Sequence, residues 1–122
     1  MIIKNPKEAV KLASKLITDW EKEHLIGVYL TNSNRLKSVE VISVGILNAT
    51  LIHPREVFRP AFLKSAAAVI LLHNHPGEQL KASKEDITIT KQLKLASEIL
   101  QIPLLDHIIF DKEGHYCRIK TA

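Results

Sequence analysis

The run Ala66-Ala67-Ala68-Val69-Ile70-Leu71-Leu72, followed at once by His73-Asn74-His75-Pro76, decides how this chain is read. An unbroken apolar run of this length is the signature of a central strand buried on both faces. It is too short to span a bilayer, which takes about 20 residues. Two imidazoles then end the run. Their i, i+2 spacing puts both on one face of the strand, with Cα atoms roughly 6.6 Å apart. Polar rings at the end of such a strand need a partner.

The rest of the chain arranges itself around that strand. Asn5-Pro6-Lys7-Glu8 reads as a helix start, with Asn5 as cap and Pro6 at the first helical position. A stripe at Ala9, Leu12, Ala13, Leu16, Ile17 and Trp20 carries that helix through residues 1–22. Leu25–Thr31 and Leu36–Leu47 read as strands, and Asn32-Ser33-Asn34-Arg35 as the turn of a hairpin between them. Pro54–Lys64 reads as a short helix broken at Pro60. Residues 74–82 form a loop. Ser83–Leu100 is helical, with Ile87, Leu93, Leu95, Ile99 and Leu100 among its apolar positions. Pro103–Asp111 and His115–Lys120 are strands about a turn at Lys112-Glu113-Gly114. The order α-β-β-α-β-α-β-β predicts an α/β fold, a mixed sheet flanked by helices.

Composition narrows the chemistry. With 122 residues, 46% hydrophobic and 25% charged, one globular domain over 1–122 is expected. A single cysteine, Cys117, excludes an intrachain disulfide and any zinc site built on paired cysteines within one chain. Any metal must be held mostly by histidine, of which there are six, and carboxylate. The N-terminus lacks the apolar core of a signal peptide, so a cytoplasmic protein without a membrane span is expected. The net charge of +4 permits nucleic acid as a partner without demanding it.

His73 and His75 can converge on one ion, and Asp86, just inside the next helix, can swing a carboxylate back toward the strand end. These three ligands would leave a fourth position open for water. Zn2+ suits that set, and another divalent ion is not excluded by it. Each feature alone has an ordinary explanation. Ser83-x-x-Asp86 is also a capping box, and histidines at a strand end are often solvated. Together they point to a metal centre.

The same residues carry a resemblance. His73-x-His75, seven residues, Ser83, two residues and Asp86 resembles the motif of the JAMM (MPN-plus) metalloproteases. Residues 48–58 (Asn48 to Phe58), 66–76 and Leu104-Leu105-Asp106-His107-Ile108-Ile109 are similar to the RadC branch, and the likeness runs from about Glu23 to Tyr116. It implies the JAB/MPN, cytidine-deaminase-like α/β sandwich. It implies zinc on His73, His75 and Asp86, and a metallopeptidase cleaving an amide or isopeptide bond in a peptide or protein. It gives Ser83 the oxyanion-stabilising role and a glutamate the general-base role. Glu23, opening the first strand, stands where RadC-like sequences carry that glutamate, with Glu56 as its rival; Glu40 is expected to face solvent. Residues 77–82 depart from the His-Pro-Ser-Gly-Asp-Pro pattern of the family, so a different loop shape is expected there. The helix-hairpin-helix-like region of full-length RadC proteins is not matched.

RadC-like proteins are also linked to DNA repair and recombination. The 17 Lys and Arg residues are dispersed, and Lys84, Lys91 and Lys94 make no dense stripe, so the charge pattern supports a weak DNA association at most. The aromatics sit at apolar positions and read as core, not as base-stacking platforms. A catalytically inactive MPN-like scaffold is the third reading. Asp106 and His107 point to opposite faces of a strand, and a structural hydrogen bond there is preferred to contact with a ligand histidine. His24, His53 and His115 read as surface residues, and Cys117 as a small buried hydrophobe.

Overall fold

A computed structural model describes residues 1–45, 52–77 and 79–120. These residues form α1 (Pro6–Ser14), β1 (His24–Leu30), β2 (Leu36–Val44), α2 (Pro54–Leu63), β3 (Ala68–Asn74), α3 (Lys84–Leu100), β4 (Leu104–Phe110) and β5 (Tyr116–Arg118). The strands make one mixed sheet in the order β2-β1-β3-β4-β5. β3 and β4 are parallel, with α3 as their crossover, and the other neighbouring pairs are antiparallel. Leu25, Tyr29, Val69 and Leu71 face α2 and α3, while Ile26, Val28, Ile70 and Leu72 face α1. This is the α/β architecture expected of the sequence, and it is consistent with a JAB/MPN domain.

Local chemistry explains most boundaries. The Asn5 carboxamide oxygen accepts the Glu8 N–H at 3.0 Å, and Pro6 opens α1. The α-helix stops at Ser14, short of the expected 1–22, because the chain tightens into i→i+3 bonds from Lys15, Leu16 and Ile17. Leu16, Ile17 and Trp20 still pack on the sheet from this turn, and Trp20 meets Phe110 edge-on at 5.9 Å. Asn34 takes the left-handed conformation (φ 63°) in the β1–β2 turn, which asparagine tolerates. β2 is observed to Val44. The expected strand residues at 46–47, the family-like positions 48–51 and Glu78 of the loop lie outside the described residues.

Four expectations are corrected. Pro60 does not break α2: the Lys64 N–H donates to the Pro60 carbonyl at 2.9 Å and the helix runs to Leu63. An interior proline costs about 3 kcal/mol, and burial of Val57, Phe58 and Ala61 against the sheet offsets it. The inward face of α3 is Asp86, Ile89, Thr90, Leu93 and Ser97, whereas Leu95, Ile99 and Leu100 are exposed. Phe62 and Tyr116 are exposed instead of joining the core. His24 is buried, not superficial. Among the described residues no helix is long and apolar enough to cross a membrane.

Candidate metal centre

β3 continues two residues beyond its apolar run, so His73 lies within the strand, fully buried on the face that carries Leu71. It is level with Leu25 of β1 and Ile109 of β4. His75 sits one residue past the strand, and its N–H donates to the Phe110 carbonyl at 3.3 Å. α3 starts at the same edge. Its cap, Ser83, accepts the Asp86 N–H at 3.0 Å, and an Asp86 carboxylate oxygen accepts the Ser83 N–H at 2.8 Å. This reciprocal cap fixes Asp86 with its carboxylate against the two rings. His73 Nε2 is 3.2 Å from Asp86 Oδ1. His75 Nε2 is 3.1 Å from Asp86 Oδ2 and 2.9 Å from His73 Nε2. A carboxylate offers about four lone-pair sites, so capping and metal binding do not compete for Asp86.

The outer nitrogens settle which tautomers the rings take. Thr90 donates its hydroxyl proton to the Asp86 backbone carbonyl at 2.6 Å, so at 2.6 Å it accepts the Nδ1–H of His107. That leaves a lone pair on His107 Nε2, which accepts the Nδ1–H of His73 at 2.9 Å. His75 Nδ1 faces the Gln79 carbonyl at 3.0 Å and must donate to it. For neutral rings, both Nε2 atoms therefore present lone pairs to the carboxylate. Three electron-rich groups so close repel unless a cation lies among them. Ligands about 2.1 Å from one tetrahedral ion stand about 3.4 Å apart, close to the separations seen here. The donor set could hold a metal ion, and its ligand atoms all lie within 4.8 Å of one another.

The protonation behaviour follows from the same contacts. Burial works to raise the Asp86 carboxyl, but the hydrogen bonds that the His73 and His75 rings donate when Nε2 also carries a proton outweigh it and hold it well below the usual carboxylate range. The hydrogen bond to Asp86 raises His75 against the opposing effect of burial. Burial drives His107 well below an ordinary histidine.

The remaining expected site residues fall as follows. Ser83 is exposed at the rim, and its cap bond uses the hydroxyl as an acceptor, so its proton is still available to donate. Glu23 immediately precedes β1. Past Leu25↔His73 the His24 N–H donates to the Asn74 side chain, so Glu23 follows at the sheet edge that carries His75. Its carboxylate contributes to the upward shift of His75. Glu56, in the first turn of α2, lines a groove shared with Ile99 and Leu100, and Ile99 lies about 20 Å along α3 from Asp86. Glu40 is half-buried and accepts the Ser38 hydroxyl at 2.9 Å.

Three contacts depart from or go beyond the reading of the sequence. His107 touches the ligand histidine directly instead of making a separate structural bond. Asp106, on the opposite face, pairs with Arg118 at 2.7 Å. Cys117 is half-buried, and its thiol donates to the Leu80 carbonyl in the loop beside His75. Burial pushes that thiol up, and the Asp86 charge adds to the effect.

Comparison with known proteins identifies the family of the chain. A family model described as RadC-like JAB domain matches residues 3–121. A UPF0758 protein of Shouchella clausii is 44% identical over 108 residues, covering 88% of this chain and 47% of its own. A UPF0758 protein of Methanosarcina mazei is 41% identical over 118 residues, covering 97% of this chain and 51% of its own. A third, of Pelodictyon phaeoclathratiforme, is 49% identical over 98 residues, covering 80% and 44% respectively. The chain spans about half the length of the curated relatives it matches.

Proposed function

The chain belongs to the RadC-like JAB domain family, and from that premise we propose that it is a zinc-dependent hydrolase that cleaves an amide or isopeptide bond in a peptide or protein. One observation carries this reading: two imidazole nitrogens with outward lone pairs and a carboxylate converge on one point at the mouth of the sheet. Bound there, Zn2+ would supply a Lewis acid and lower the pKa of a water on its open position to about 7.

The protein's own groups do the rest. His73, His75 and Asp86 hold the ion. Glu23, at the same sheet edge as His75, takes a proton from water and delivers it to the leaving amine, the general-base role. Ser83 donates its remaining proton to the carbonyl oxygen as negative charge gathers on it. In the metal-free protein the flanking imidazoles hold the Asp86 carboxyl low.

Metal analysis and a mixed library of linear and lysine-isopeptide-linked peptides, read by mass spectrometry, test the reading. Wild-type protein should take up about one zinc per chain and cleave members of the library. His73→Ala and Asp86→Ala should lose both properties, and Glu23→Gln should lose cleavage while keeping zinc. A protein that takes up no divalent ion, or a zinc-loaded one that cleaves nothing in the library, overturns it.

A further inference from the structure

Asn74 stands between the two histidines of the centre, and its side chain is fully buried yet takes no part in the cluster. It crosses instead to the segment that leads into β1. Its Oδ1 accepts the His24 N–H at 2.7 Å, and its Nδ2 donates to the Lys22 carbonyl at 2.8 Å. Those two backbone groups flank a single residue, Glu23. We propose that Asn74 is a positioning residue that grips the backbone on both sides of Glu23 and so fixes the Glu23 carboxylate beside His75. This inference rests on the reading of Glu23 as the proton-moving group.

The reason for an asparagine lies in the sheet. Leu25↔His73 is the last rung of the ladder between β1 and β3. Beyond it, the His75 N–H turns to the Phe110 carbonyl on the other side of β3. The Asn74 carboxamide then takes the place of a peptide group and extends the pairing by side chain. One planar group must offer an acceptor to the His24 N–H and a donor to the Lys22 carbonyl, which an amide does and a carboxylate does not. The two partners also settle the orientation of the amide.

A second bond tightens the grip. The buried His24 ring donates its Nδ1–H to the same Lys22 carbonyl at 2.9 Å, and Thr18 donates its hydroxyl to His24 Nε2 at 3.3 Å. Both lone pairs of the Lys22 carbonyl are thus used, which accounts for the burial of His24. The segment is held by three side chains from three places in the chain.

Asn74→Ala and Asn74→Asp, compared with Glu23→Gln and wild type, test this. Zinc affinity, from chelator competition, reports the integrity of the centre. It should stay within about threefold, unlike the 10–100-fold losses typical when a ligand's own hydrogen-bond partner is removed. Exchange of the His24 amide hydrogen, which needs no substrate, should quicken by at least about tenfold in Asn74→Ala, whereas Asn74→Asp keeps an acceptor for that amide and loses only the donor to the Lys22 carbonyl. Turnover of the fastest-cleaved library peptide should drop by about 100-fold, the cost of a misplacement near 1 Å. Asn74→Ala combined with Glu23→Gln should be no slower than Glu23→Gln alone. Unchanged His24 exchange in Asn74→Ala, or losses that multiply in the double variant, overturns the inference. Full turnover in Glu23→Gln instead overturns the assignment of Glu23 and leaves the exchange result to decide whether Asn74 holds the segment.

Discussion

The Nδ1 of His73 lies 2.9 Å from the Nε2 of His107, on the side of the ring away from Asp86. His107 is held in turn by Thr90, and Thr90 by the backbone carbonyl of Asp86. One candidate ligand is therefore tied to another through an outer path of three hydrogen bonds. The path sets the His73 tautomer and the tilt of its ring before any ion arrives.

Removal of that path should weaken the metal without removing a ligand. His107→Leu is expected to lower zinc affinity by about 10–100-fold. His107→Gln, whose carbonyl oxygen can still accept the His73 proton, should recover part of the loss. Chelator competition at fixed pH measures both. Equal affinity in His107→Leu and wild type would reduce His107 to core packing.

Stability of the metal-free protein should peak near pH 6.5. The bond to Asp86 raises His75, so its contribution is full below its unfolded value of about 6.5 and fades as pH rises through the folded one. Burial lowers His107, so below about 6.5 the unfolded chain binds a proton that the folded one refuses. Asp86 is lowered too. Its contribution is complete above its unfolded value, about 3.9, and is lost as pH falls through the folded one. Urea melts of chelator-treated protein across pH measure the sum. His75→Ala should flatten the alkaline limb, and a stability that keeps rising to pH 8 would contradict the assignment.

These couplings explain how much of the site could be read in advance. His73, His75 and Asp86 stand out locally, because period-2 spacing and a helix cap bring three ligand types to one edge. Glu23 comes near them only through the β1–β3 register, between residues about fifty positions apart, and no local pattern encodes that pairing. His107 looks like any histidine of a buried strand until β4 is laid parallel to β3. The inward face of α3 misleads for a related reason. Asp86, Thr90 and Ser97 occupy it, and two of them serve the centre, so apolarity points to Leu95 and Ile99, which face outward. Hydrophobic pattern reports burial well where burial is purely apolar, as in β3, and poorly where a buried polar network replaces it.

A second constraint lies away from the centre. A Cβ on Gly27 would stand 2.6 Å from the Tyr29 hydroxyl oxygen and 2.7 Å from two atoms of its ring. The Tyr29 ring lies over Gly27 and donates its O–H to the Val57 carbonyl of α2 at 2.5 Å. Gly27→Ala must displace that ring and should cost about 1–3 kcal/mol. Tyr29→Phe should cost about 1 kcal/mol for the lost buried bond. Urea unfolding reads both, and the pair should be less than additive because each disturbs the same ring. A neutral Gly27→Ala would mean that the ring has another place to go.

Ser83 serves the fold and, on the proposed mechanism, the reaction, and the two can be separated. As the cap of α3 it accepts the Asp86 N–H. Ser83→Ala removes that acceptor and should cost about 1 kcal/mol, whereas glycine at the same position costs only a few tenths. Neither variant carries a hydroxyl to donate to the developing oxyanion, so both should slow turnover by about 10²–10³-fold, as loss of one such donor does elsewhere. Ser83→Thr keeps acceptor and donor and should approach wild type in both respects. The decisive comparison is Ser83→Gly, near wild type in urea stability but as slow as Ser83→Ala. A Ser83→Gly protein with normal turnover would confine Ser83 to capping α3 and so to holding Asp86 in place.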